Sequence, residues 1–213
     1  MTEVDLSRCR LYLCCGDRPD LADFLDACIR GGVDIVQLRE KGLDARPLLA
    51  RARVAAEVCA EHGVPFILND RPDLALACGA AGVHVGQEDV PPDVARRILG
   101  DGAVVGLSTH APAEWDKAAG EPVDYFSAGP VSPTPTKPGR PGTGLGYLSY
   151  VAGTPAGGTV PWFTTGGVTP DTVPAMAAAG ASRFVVVRWL TGATHPADAA
   201  RRLRAVIDEQ AWA

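Results

Sequence analysis

The chain has 213 residues, 46% of them hydrophobic, and a formal charge of −5. That is enough apolar material for one full core, read as a single domain over residues 1–213. The acidic balance excludes a general nucleic-acid surface, which needs clustered Lys and Arg to displace phosphate counterions.

The N-terminus, Met1-Thr2-Glu3-Val4-Asp5, is acidic and lacks an apolar run, and no uninterrupted apolar span approaches the ~20 residues of a membrane helix. A cytoplasmic protein without a membrane partner is the expectation. The cysteines, Cys9, Cys14, Cys15, Cys28, Cys59 and Cys78, show neither CxxC nor Cys/His ligand spacing and fall mostly in apolar runs. They read as buried, reduced thiols.

Short apolar segments alternate with amphipathic ones from end to end, which predicts β-α units around a parallel sheet. Eight such pairs make the expected fold a (β/α)8 barrel with its ligand site at the carboxyl ends of the strands. In chain order the strands are Leu11–Cys15, Val33–Leu38, Pro65–Leu68, Gly82–Val85, Ala103–Leu107, Tyr125–Ala128, Trp162–Thr164 and Phe184–Val187. The clearest helices are Pro19–Arg30, Arg46–Glu61, Pro91–Leu99, Thr172–Ala179 and Pro196–Asp208. Asp44, Asp70 and Asp171 stand at helix starts as capping residues, while glycines such as Gly79, Gly100 and Gly180 close the helices. Between Gly129 and Gly146 five prolines and several glycines interrupt any regular element, leaving a long loop after the sixth strand that reads as an active-site lid.

Polar groups cluster where the apolar runs end. In the second strand, alternation puts Gln37, Arg39 and Lys41 on one face and Leu38 and Glu40 on the other; a guanidinium two residues from an ammonium suits a polyphosphate. Asn69-Asp70 ends the third strand and Asp89 follows the fourth, so a barrel brings two carboxylates toward one ion, with Glu88 as a competitor. Mg²⁺ takes one or two carboxylates and completes its shell with water and phosphate, although Asp70 serves equally well as a helix cap and Asp89 as a loop carboxylate. His84, between two valines, reads as a hydrogen-bonded core histidine, His110 as a surface imidazole, and Ser108 as a strand-end or capping hydroxyl. Thr134, Thr136 and Lys137 open the long loop, and Thr165-Gly166-Gly167 and Val187-Arg188 follow the last two strands, where barrels commonly bind phosphate.

Taken together, Gln37-Leu38-Arg39-Glu40-Lys41, Asn69-Asp70, His84 to Asp89, Gly129-Pro130-Val131 with Thr134-Pro135-Thr136-Lys137, and Gly166-Gly167 make the chain resemble the thiamine-phosphate synthases from about Tyr12 to Leu203. The resemblance implies a Mg²⁺-dependent transferase that joins a hydroxymethylpyrimidine diphosphate to a thiazole phosphate and releases diphosphate. It implies that Gln37, Leu38, Arg39, Glu40, Lys41, Asn69, Ser108 and Lys137 surround the pyrimidine diphosphate, with Arg39, Lys41, Ser108 and Lys137 catalytic. It assigns Asp70 and Asp89 to Mg²⁺, and Thr134, Thr136, Gly167, Val187 and Arg188 to the thiazole phosphate, the last three through backbone groups. The chain departs from the family at Arg188-Trp189, where members often carry a small Ser-Ala pair, and at Thr165, often aliphatic. The alternatives are a thiazole phosphate tautomerase of the same fold, which has no need of a diphosphate clamp, and a non-catalytic thiamine-phosphate-binding regulator.

Overall fold

A computed structural model describes residues 4–133 and 141–210. Its strands are β1 Leu11–Cys15, β2 Ile35–Leu38, β3 Phe66–Asn69, β4 Gly82–Val85, β5 Val104–Thr109, β6 Tyr125–Ala128, β7 Trp162–Thr164 and β8 Phe184–Val186. The helices are α1 Leu21–Arg30, α2 Ala45–Glu61, α3 Pro72–Cys78, α4 Pro92–Leu99, α5 Pro112–Ala118, α6 Gly144–Ala152, α7 Pro155–Thr159, α8 Val173–Ala178, α9 Arg188–Thr191 and α10 Pro196–Gln210. All eight strands run parallel in sequence order and close on themselves through β1 and β8, giving the expected (β/α)8 barrel.

Every strand is buried along its whole length, because one face meets the helices and the other fills the barrel. Alternation sorts the side chains. Leu11, Leu13, Val36, Leu38, Val83, Val85, Val105 and Phe126 join the helices' apolar faces in one core layer. Tyr12, Cys14, Ile35, Ile67, Val104, Tyr125, Phe163 and Val185 form a second layer inside the barrel. The interior floor is completed from an unexpected source: a short 3-10 turn, Leu6–Arg8, capped by Asp5, sends Leu6 and Cys9 up beneath that second layer.

A carboxylate ties the lower rim together. Asp34, just before β2, accepts from the backbone N–H groups of Arg10 and Leu11 at the start of β1, and Arg204 of α10 reaches it at 2.7 Å. Burial pushes Asp34 above the usual carboxylate range, although these donors pull it back.

Four strands have their predicted bounds and the other four shift by one or two residues. The loop expected to run to Gly146 ends earlier, since α6 begins at Gly144 and a second short helix, α7, follows before β7. The glycine run from Gly142 hid that helix, whose stability comes from burying Tyr147, Leu148 and Val151 rather than from propensity. Capping also differs: Asp44 precedes α2 without a side-chain cap bond, Arg71 and not Asp70 takes the cap position of α3, and Thr172 rather than Asp171 takes that of α8.

Candidate active site

At the carboxyl ends of the strands lies a cavity of about 370 Å³. β2 to β5 supply Gln37, Arg39, Asn69, His84 and Ser108 to its lining. The opposite arc, β7 and β8 with their loops, supplies Gly166, Gly167, Val187, Arg188 and Trp189. Sequence order around the barrel therefore separates the two sets that the motifs suggest.

Beside the first set, Lys41 Nζ lies 2.7 Å from an Asp70 oxygen, and Asp70 and Asp89 are hydrogen-bonded to each other. Asp70 has φ +62°, the left-handed region, so β3 ends on a strained residue that turns its carboxylate toward the β4 loop. Its own N–H still donates to the His84 carbonyl at 2.9 Å, which continues the β3–β4 ladder to this point. Asp89 folds back onto the Gly86 N–H at 2.9 Å. Burial and the neighbouring Asp89 push the Asp70 carboxyl up against the pull of Lys41. Asp89, although burial works against it, is held down by hydrogen bonds from Asp70 and the Gly86 N–H, so the two carboxyls are pushed in opposite directions.

The remaining residues of the second-strand motif divide by direction. Leu38 packs in the outer core, and Glu40 accepts from the backbone of Gly42 and Asp17, so neither side chain joins the cavity lining. Ser108 lies within β5 and α5 is capped at Ala111, so its hydroxyl is not a helix cap. His110 is not a surface imidazole: its side chain is 9% exposed and a ring nitrogen lies 2.8 Å from Glu114. Thr134, Thr136 and Lys137 fall outside the described residues. The flanks of their loop are fixed, with the Val131 N–H on the Thr165 carbonyl and the Thr143 N–H on the Pro130 carbonyl, both 2.8 Å.

Sequence reading missed the cavity floor. Tyr12, Cys14, Tyr125 and Ser127 read as ordinary strand residues, yet they are hydrogen-bonded to Gln37, His84 and Ser108 in one buried chain. The usable signal was parity: register pairs Cys14 with Gln37 and Ser108 with Ser127, so the alternation already read on β2 extends to its neighbours.

The family model for thiamine monophosphate synthase matches residues 11–190. The chain belongs to the thiamine monophosphate synthase family. The thiamine-phosphate synthase of Thermobifida fusca is 50% identical over 204 residues, covering 93% of this chain and 92% of that protein. That of Mycobacterium tuberculosis (strain H37Ra) is 45% identical over 219 residues, covering 97% and 98%. The thiamine phosphate pyrophosphorylase structure from Pyrococcus furiosus superposes with a TM-score of 0.84 at 27% identity over 95% of this chain and 96% of that one. The three positions expected to depart from the family, Thr165, Arg188 and Trp189, all line the cavity, and Trp189 is anchored by its indole N–H on the Ala199 carbonyl of α10 at 3.1 Å. Arg188 is exposed at the rim.

Proposed function

We propose that the barrel mouth joins 4-amino-2-methyl-5-hydroxymethylpyrimidine diphosphate to 4-methyl-5-(2-phosphooxyethyl)thiazole, releasing diphosphate and thiamine phosphate, with Mg²⁺ held by Asp70 and Asp89. The observation that carries this reading is the Lys41–Asp70–Asp89 cluster next to a cavity lined on one arc by Gln37, Arg39, Asn69 and Ser108 and on the other by Gly166, Gly167 and Arg188. The donor set fits the ion. Two neighbouring carboxyls on adjacent strand ends are oxygen ligands of the kind Mg²⁺ takes, and among the described residues no group of three or more His, Cys, Asp or Glu forms a cage of the kind zinc prefers. Bound there, the metal would neutralise charge on the departing diphosphate.

The protein's own groups account for the rest. On this reading Arg39 and Lys41 would hold diphosphate oxygens, as would Lys137 outside the described residues, with Gln37 and Asn69 as amide partners for the pyrimidine and Ser108 as a further donor. As the C–O bond to diphosphate breaks, a pyrimidine methylene cation forms, shielded from water by the enclosed floor, and the thiazole nitrogen supplies the electron pair of the new C–N bond. The glycine turn at Gly166-Gly167, with Val187, Arg188, Thr134 and Thr136, would hold the thiazole phosphate. A nucleophilic triad is not required, because the reaction needs charge stabilisation and alignment rather than a covalent enzyme intermediate. A cytoplasmic location goes with this reading, since the six free cysteines suit a reducing compartment; no helix among the described residues is long and apolar enough to cross a membrane.

The test is diphosphate release from the full chain with Mg²⁺, each substrate alone and both together. Release that needs both substrates is expected. Rearrangement of the thiazole phosphate alone would assign a tautomerase, and binding of thiamine phosphate without turnover a regulator.

A further inference from the structure

The cavity floor carries a hydrogen-bond chain whose direction follows from donor and acceptor arithmetic. Gln37 accepts at Oε1 from the Cys14 thiol (3.3 Å) and donates from Nε2 to the Tyr12 oxygen (2.7 Å). Tyr12 is 1% exposed, so its single proton has to be satisfied inside the barrel, and its other hydroxyl neighbour is Tyr125 at 2.8 Å. Tyr125, fully buried, having accepted there, gives its proton to His84 Nδ1 at 2.9 Å. A neutral imidazole that accepts at Nδ1 carries its hydrogen on Nε2, and His84 Nε2 lies 2.9 Å from Ser108 Oγ. Ser127 also donates to Ser108 Oγ, at 3.3 Å.

Ser108 Oγ thus receives two hydrogen bonds, which occupies its lone pairs and leaves its own O–H to turn into the cavity it lines. We propose that Tyr12, Tyr125 and His84 are positioning residues: a one-way relay that presents the Ser108 hydroxyl as a fixed donor to the diphosphate oxygen that gains charge as the C–O bond breaks. The relay rests on the reaction proposed above for its target, but not for its direction. Its parts are held without substrate, by the stacked rings of His84 and Tyr125 (5.4 Å between centroids) and by edge contacts of Tyr12 and Tyr125 with Phe163. Such preorganisation is what makes a donor effective in a site closed to water, and successive bonds in a buried chain polarise one another. Tyr125 lies behind His84 and reaches Ser108 through it, so the part of its effect that the relay carries passes through that serine.

Two measurements on the full chain decide the matter. Imidazole nitrogen NMR of the wild type is expected to show His84 protonated on Nε2 and bare on Nδ1; the opposite tautomer overturns the proposal. In a double-mutant cycle, Tyr125→Phe should lower kcat by about tenfold, the scale of losing an outer-shell partner, with KM for the pyrimidine diphosphate little changed. In a Ser108→Ala background the same substitution should cost under about twofold, since the group it acts through is gone. An equal loss in both backgrounds, or no loss in the first, overturns the relay. Should Tyr125→Phe fail to fold, Tyr12→Phe removes the preceding link and runs the same cycle. Absence of two-substrate diphosphate release in the wild type would instead defeat the reaction assignment, and the tautomer alone would then decide the direction of the chain.

Discussion

Asp70 joins two demands that pull apart: its backbone occupies the left-handed region at φ +62°, and its carboxyl is pushed up by burial beside a second carboxylate. Left-handed geometry costs an L-residue about 1 kcal/mol, least for Asp and Asn, whose side chains bond locally. Asn at this position keeps the backbone and the side-chain shape but gives up the negative charge proposed to hold Mg²⁺. The Lys41 pair contributes little to the fold because Lys41 is more than half exposed. Asp70→Asn is therefore expected to change stability by under about 1 kcal/mol while cutting diphosphate release by about 100-fold or more. Urea midpoints and turnover measured on the same preparation check both halves, and retained turnover would remove Asp70 from the metal site.

Among the elements, β5 is the one that makes room for the floor. A Cβ on Gly106 would stand 2.1 Å from the Tyr125 ring, so this strand accepts a neighbouring aromatic only because it lacks a side chain there. Gly106→Ala should destabilise the fold by about 1–3 kcal/mol and displace Tyr125, with the change visible as a lower denaturation midpoint and a lost tyrosine–histidine hydrogen bond by NMR. An unchanged midpoint with Tyr125 in place would show that the ring has slack. Elements of this kind were legible unevenly. The strands and long helices were readable because parallel strands buried on both faces are continuous apolar runs bounded by glycine, as at Gly82–Val85 and Tyr125–Ala128. Gln37, Arg39 and Asn69 in the cavity lining, with Asp70 next in the chain, stood out because polar residues interrupt such runs. The floor did not, since Tyr12 and Tyr125 count as apolar bulk until the register of neighbouring strands turns their hydroxyls toward one another. Gly166 was readable only as a turn; its real constraint is φ +93° with Pro130 packed where a Cβ would be, a contact between distant loops that no local pattern contains.

On the scale of the whole molecule, the barrel is sheathed by a layer in which Cys28 of α1 and Cys59 of α2 are buried. Burial pushes both thiols from 9.0 up to about 12. The folded chain therefore holds these protons where the unfolded chain has lost them, so their contribution is complete below about pH 9 and disappears as pH rises toward about 12. Stability should fall across that window with a slope of about 1.4 kcal/mol per thiol for each pH unit, readable as a declining urea midpoint. Cys28→Ala and Cys59→Ala together should flatten the decline, and an unchanged slope in that variant would place its origin elsewhere.

The turn at Leu6–Arg8 gives this architecture a plug as well as a wall. With Leu6 and Cys9 wedged under Ile35, Ile67, Val104 and Phe163, the lower end of the barrel is corked by side chains almost wholly out of contact with solvent. Among the described residues that end offers no passage, so whatever fills the cavity comes and goes at the carboxyl ends of the strands.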